Sequence, residues 1–471
     1  MRRKLLLLIF LSGFTPAFAI TWHVGPIQLY TAPSQVSTLV EDGDTVSIDA
    51  GTYESDVAHW TANNLLLKGA GGFAYMKANG ANYGGKAIWV ISGNNTTVDS
   101  IEFSLCTCAD NNGAGIRQEG INLTVRHCFF HDNQEGILAG DNAKSDILIE
   151  YTEFYNNGAG DGYSHNLYIN HVHSLTFQYN YSHHAIVGHE LKSRAYNNYI
   201  LCNRIANEET GTASREIDLP NGGLSYIIGN EIEQGPQSEN SNIIGYGLEG
   251  LSNPSQKLFL INNTIVNDKS SGSFVNIQNG ISFFKSYNNI YAGPGTHLTG
   301  TPNSIDTSSN LYCDVASVNF FDALNYDYHL TASSPAINLG IDPGFDSTFS
   351  LTPVYEYVYP TGMMLRGIDD SLDAGAHEYG NFSSAQEDPF NDNEFDVYPN
   401  PAQNYINIFL DILQDDEALL TIRNCIGEAV ENISVQGRRN ISVDVRNYTA
   451  GTYLVLLSEN KKIITRKIVI R

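Results

Sequence analysis

Basic residues are scarce in this chain. It carries 26 Lys and Arg against 51 Asp and Glu over 471 residues, a formal net charge of −25. Binding nucleic acid through its phosphates needs clustered Lys and Arg, so that class is excluded. Cysteine is thin as well. Cys106, Cys108, Cys128, Cys202, Cys313 and Cys425 are scattered between positions 106 and 425, and a disulfide scaffold would be denser. Cys106 and Cys108 form a C-x-C pair with no second pair to complete a zinc site, so the cysteines read as buried small hydrophobes. No apolar run is long enough to span a bilayer as a helix. Helical patterns of 10–15 residues are missing between the β-rich stretches, which excludes an α/β sheet.

Hydrophobic residues make up 42% of the chain, enough to build a core. The charge is uneven. Residues 1–19 hold three basic and no acidic residues, and residues 394–471 hold nine basic and ten acidic ones. The middle, 20–393, is left with 14 basic and 41 acidic residues, so one acidic body does almost all the charging. Met1-Arg2-Arg3-Lys4, the apolar run Leu5 to Leu11 and Ala17-Phe18-Ala19 describe a secretory signal peptide over 1–19.

A short phrase then repeats. Val98 to Phe103, Val125 to Phe130, Ile149 to Phe154, Phe177 to Tyr181, Ile200 to Ile205, Ile227 to Ile232 and Leu260 to Ile265 share one pattern. Its fourth position falls at 101, 128, 152, 180, 203, 230 and 263, in steps of 27, 24, 28, 23, 27 and 33 residues. Such steps fit one coil of a parallel β-helix, whose rungs pair with neighbours only. Leucine-rich repeats would need a Leu-dense consensus that is not there. Asn180, Asn203, Asn230 and Asn263 recur at one position and predict a ladder of stacked amides. The expected fold is all-β: a right-handed parallel β-helix over 20–380, a polar linker over 381–393, and a small C-terminal β-sandwich over 394–471.

Asp42-Gly43-Asp44-Thr45 through Gly51-Thr52-Tyr53 resembles the opening coil of secreted pectate-lyase-like β-helices. Asp327-Tyr328-His329-Leu330 through Ile337, with Asp373-Ala374-Gly375-Ala376-His377-Glu378-Tyr379, resembles their closing coil. Val397-Tyr398-Pro399-Asn400-Pro401-Ala402, the Gly451-Thr452-Tyr453 turn and the basic final strand resemble the C-terminal sorting domain of the Bacteroidetes type IX secretion system. That resemblance implies export through the periplasm and across the outer membrane, with the secretion machinery as a partner and a secreted or cell-surface location. The chain is expected to act as a monomer.

The chemistry concentrates in one place. Six of the 13 histidines, His165, His171, His173, His183, His184 and His189, fall within 25 residues. Lys192, Arg194, Arg204 and Arg215 follow within 24 residues. Strand side chains alternate between faces. With Leu167, Ile169, Leu191, Ile217 and Leu219 inward, Asn166, Glu190 and Glu216 should form one outward column. Tyr168, Lys192 and Asp218 should form the next, with Arg194 beside Asn170. An ordinary solvated face with Lys192–Asp218 and Arg194–Glu190 pairs would produce the same pattern. Against that, earlier rungs place Gly115, Arg117, Gly136 and Leu138 at these positions.

This patch suits β-elimination on a uronate-containing polysaccharide, where the substrate carboxylate is neutralised and a base takes the adjacent proton. Lys192, Arg194, Tyr168 and His189 are the candidate catalytic residues. Asn170, Arg215, His171 and Asp218 would bind substrate. Asn166, Glu190 and Glu216 offer hard oxygens for Ca²⁺. Glu190-Leu191-Lys192-Ser193 resembles the Glu-x-Lys-Ser region of chondroitinase B and alginate lyase β-helices, which implies Lys192 as base and Glu190 as a Ca²⁺ ligand. The next rung departs from that family, with Glu216-Ile217-Asp218-Leu219-Pro220 in place of its Arg-His-Gly. Two alternatives stay open: a non-catalytic glycan-binding or adhesive surface protein, and a glycosidase using Glu190, Glu216 and Asp218.

Overall fold

A computed structural model describes residues 19–367, 371–380, 395–398, 402, 405–410, 419–424, 429–435, 440–449, 451–459 and 462–470. The expected signal peptide (save its last residue), the expected linker and Cys425 lie outside the described residues. The fold is the expected right-handed parallel β-helix of about ten turns. Each full turn gives one short strand to each of three parallel sheets. The first sheet runs Ala58–Trp60, Ala87–Ile91, Ala114–Gln118, Glu135–Ala139, Leu167–Ile169, His189–Ser193, Arg215–Leu219, Asn242–Tyr246, Ser273–Ile277, Thr296–Thr299. The second holds strands such as Val172–Gln178, Asn197–Leu201 and Gly223–Ile228, and the third Tyr181–His183, Arg204–Ala206 and Glu231–Gln234.

The corner between the second and third sheets explains the repeat. One residue per turn sits there in the left-handed region: Ser100, His127, Tyr151, Tyr179, Cys202, Gly229, Asn262 and Asn288, with φ between 49° and 70°. Bulky residues at positive φ are uncommon and strained, so the next position must hold the corner together. From the fourth of these turns onward that position is Asn. The Asn203 amide donates to Asn230 Oδ1 at 2.9 Å and to the Phe177 carbonyl at 2.8 Å, while its own Oδ1 accepts from the Asn180 backbone N–H and side chain. The same contacts link Asn230 to Asn263. The ladder continues past its expected end to Asn289 and Asn310. Inside the coil, Phe103, Phe130 and Phe154 stack with centroids 4.9 and 5.1 Å apart. Leu167, Leu191, Ile217 and Ile244 are wholly buried beside them.

The Asp373–Tyr379 phrase does not close the coil. Coil strands end at Leu311–Cys313, and residues 341–367 and 371–380 run back along the flank over the second and third sheets. Asn288 donates to the Ile341 carbonyl at 2.7 Å, Tyr226 to Asp346 at 2.9 Å, and Asn262 to the Asp373 carbonyl at 2.8 Å. Buried charge fastens this strap. His377 bridges Glu231 (2.5 Å) and Glu356 (3.4 Å), and Arg366 pairs with Glu378 at 2.6 Å.

The C-terminal residues form two small antiparallel sheets. Phe395–Tyr398, Tyr405–Leu410 and Asn440–Asp444 make one; Leu419–Asn424, Ala429–Ser434, Gly451–Glu459 and Lys462–Ile470 make the other. Ile406, Ile408, Leu420, Ile422, Val455 and Ile468 share their core.

Candidate active site on the first sheet

Register brings Tyr168 beside Lys192 and Lys192 beside Asp218, as the alternation predicts, with Leu191 against Ile217 in the core between the files. A second outer file runs parallel. Glu135, His165, His189 and Arg215 occupy successive rungs. Gly188 makes their close approach possible, because a Cβ there would sit 1.8 Å from the Ser164 carbonyl. The His165 and His189 rings therefore stack at 4.8 Å.

Asp218 is the hub. Its carboxylate lies 3.1 Å from Arg215, 3.5 Å from His189 Nε2 and 4.0 Å from Lys192 Nζ. Above it, Glu249 reaches in from the loop after Asn242–Tyr246, 2.6 Å from Arg194 and 3.5 Å from Lys192. Arg194 is fully engaged: Nε donates to Tyr168 Oη at 2.9 Å and NH1 to Asn221 at 2.5 Å. Both cations also lie over the Tyr168 ring, 5.6 and 5.8 Å from its centre. Asn170 and His171 sit at the corner beyond this group. The Asn170 side chain turns to His171, and Arg194 reaches Tyr168, Asn221 and Glu249.

Burial sets the protonation states. It drives Glu135 well above the usual carboxylate range, because burial disfavours the charged form. Burial, then the Lys192 charge, holds His165 well below its ordinary value; burial, His165 and the nearby cations do the same to His189. His165 Nδ1 accepts from the His189 backbone N–H at 3.0 Å, which places the His165 proton on Nε2. Burial raises Asp218 against the pull of Arg215 and Lys192. Burial works against Glu249 too, but Arg194 and Lys192 prevail and hold its carboxyl below the usual range.

Four buried polar atoms on this face have no hydrogen-bond partner: Arg117 Nε, Glu135 Oε1, His189 Nδ1 and Arg215 Nε. Each such atom costs about 1–3 kcal/mol. A cluster of them on one face marks a place built for something other than stability.

The expected metal column is corrected. Asn166, Glu190 and Glu216 are neighbours in register but lie inside the coil, fully buried. Their file continues Gly115 and Gly136, where a Cβ would strike Phe130 and Phe154 of the core. Strict alternation fails here because the chain is still turning onto the first sheet, so Glu190 and Leu191 both face inward. Glu190 accepts from Ala185 N at 2.8 Å and from Ser182 and Asn166, so it does not pair with Arg194. Burial pushes its carboxyl up to about 8 and that of Glu216 well above the usual range. Neutral, enclosed carboxyls do not fit Ca²⁺, which takes ionised, accessible oxygens. Among the described residues no group of three His, Cys, Asp or Glu is placed to hold a metal ion. The glycosidase alternative loses Glu190 and Glu216 because both are enclosed within the coil, out of a polymer's reach.

Three contributors escaped the sequence reading as site members: Glu135, His165 and Glu249. Glu135 and His165 had a usable signal, since the register that aligns Leu138 with Tyr168 also aligns them. Glu249 had none, lying 57 residues from Lys192 in a loop without register.

Residues 396–471 match the family described as the secretion system C-terminal sorting domain. No curated protein matches the chain.

Proposed function

We infer that this chain, secreted or attached at the cell surface through its type IX sorting domain, acts on a polymer outside the cell. We propose that the outer face of the first sheet is the catalytic groove of a polysaccharide lyase acting on a uronate-containing glycan. The cluster of unpartnered buried polar atoms beside Tyr168, Lys192 and Arg194 carries this reading. Arg194 and Lys192 neutralise the uronate carboxylate. Lys192, standing between two carboxylates, serves as charge and not as base. The base is His189: its Nε2 faces Asp218, and the step requires the groove to open over the buried Nδ1, whose lone pair is uncommitted. His189 takes the C5 proton, the C4–O bond breaks as the C4–C5 double bond forms, and Tyr168 Oη protonates the leaving oxygen.

The adhesive alternative has one observation in its favour: Lys192, Arg194 and Arg215 each contact a carboxylate of the protein itself. One experiment separates the two. The recombinant chain is incubated with alginate, pectin and glycosaminoglycans. A lyase releases unsaturated uronate that absorbs in the near ultraviolet, and Tyr168→Phe lowers kcat about 100-fold or more. If no polymer is cleaved and Lys192→Ala leaves glycan binding unchanged, the lyase reading is wrong.

A further inference from the structure

The most exposed member of the cluster is also its least anchored. The Glu249 side chain is 49% exposed, whereas those of Lys192 and Arg194 are 12% and 15% exposed. Glu249 therefore covers two cations from the solvent side. Its loop is short and turns at two glycines. Gly247 and Gly250 take φ of +73° and +115°, and the Glu249 backbone N–H donates to the Pro220 carbonyl at 2.9 Å. A Cβ at Gly250 would meet nothing. Beneath the loop the cations stay fixed without Glu249, because Tyr168 and Asn221 hold Arg194 and Asp218 attracts Lys192.

We propose that Glu249 is an internal stand-in for the carboxylate of an acidic sugar, filling a seat formed by Arg194, Lys192 and Tyr168 until a substrate carboxylate displaces it. This rests on the reading of the face as a uronate site. The chemistry is specific: one planar carboxylate bridges a guanidinium and an ammonium, over an aromatic ring that suits a sugar face. A neutral sugar gains nothing from displacing Glu249, since both cations would lose their charge partner. The seat thus excludes neutral glycans by the same contact that keeps it closed. It also keeps an unpaired basic pair off an otherwise acidic surface.

The test uses the full chain and a simple probe, D-glucuronate, against D-glucose, by calorimetry or ligand-observed NMR. Glu249→Gln removes the charge at a half-exposed position and leaves the coil intact. It should bind glucuronate at least tenfold more tightly than the unaltered protein, with glucose binding unchanged. Arg194→Ala in the Glu249→Gln background should remove that gain. If Glu249→Gln binds glucuronate no better, or binds glucose and glucuronate equally, the stand-in is refuted. The two readings fail separately. Tighter glucuronate binding with no polymer cleavage supports the seat and refutes the lyase; cleavage by both forms with equal glucuronate binding does the reverse.

Discussion

Glu190 offers the sharpest test of how this coil is built. Its carboxyl is enclosed by Ser182, Ala185 and Asn166 and is pushed from 4.5 to about 8 by burial. Between those two values the folded chain keeps a proton that the unfolded chain has released. Stability then falls as pH rises, by about 1.4 kcal/mol per pH unit for one proton. The contribution is complete below about pH 4.5 and is lost on passing pH 8. From pH 5.5 to 7.5 Glu190 alone should remove roughly 2.7 kcal/mol. Glu190→Gln is close in shape, cannot ionise, and keeps an oxygen for Ala185 N. Urea unfolding of both proteins at pH 5.5, 6.5 and 7.5 measures the effect. The expected result is a pH slope shallower by about 1.4 kcal/mol per unit in the variant. Equal slopes would mean that Glu190 ionises freely, and the inward assignment of the Asn166–Glu190–Glu216 file would be wrong.

Other expectations are open to direct measurement. Asn203→Ala strips the Asn180 backbone N–H of its acceptor deep in the coil and should cost about 2–4 kcal/mol in denaturant unfolding; a loss under about 1 kcal/mol would show the ladder to be ornamental. His377→Ala leaves Glu231 and Glu356 facing each other without their shared cation. It should open residues 341–367 and 371–380 to limited proteolysis at a protease concentration that leaves these segments intact in the unaltered chain. His377 is held up at about 9 by its two carboxylate partners against burial, so its stabilisation is complete below pH 6.5 and is lost as pH rises through 9. Strap protection should weaken over that window. His189 lies below its ordinary value, so the acid limb of kcat/KM for any cleavage should fall below pH 6.5; a limb above 7 would exclude His189 as base.

The coil was legible because its corners are chemically demanding. Asn180, Asn203, Asn230 and Asn263 each follow a residue at positive φ, and a side-chain amide there both donates and accepts from rung to rung along the axis. The file Tyr168–Lys192–Asp218 was legible for a related reason: mid-strand, alternation is strict. At the strand's start it is not. Glu190 follows a corner, and burial of two successive residues there overrode the two-residue period. That single offset moved three expected ligands from solvent to core. The closing coil misled because Asp373 to Tyr379 carries the right residues for packing on β-strands but packs on the flank. Loop residues such as Glu249 have no periodicity to read.

The strap decides which faces of the coil stay open. It carries the chain away from the coil's end and back onto the second and third sheets, where His377 is locked to Glu231. The described coil and strap therefore end at residue 380 on the flank opposite the first sheet. On the sheet turned away from the strap, Tyr168, Lys192 and Arg194 lie along a row of rungs that a polymer can approach without meeting the strap.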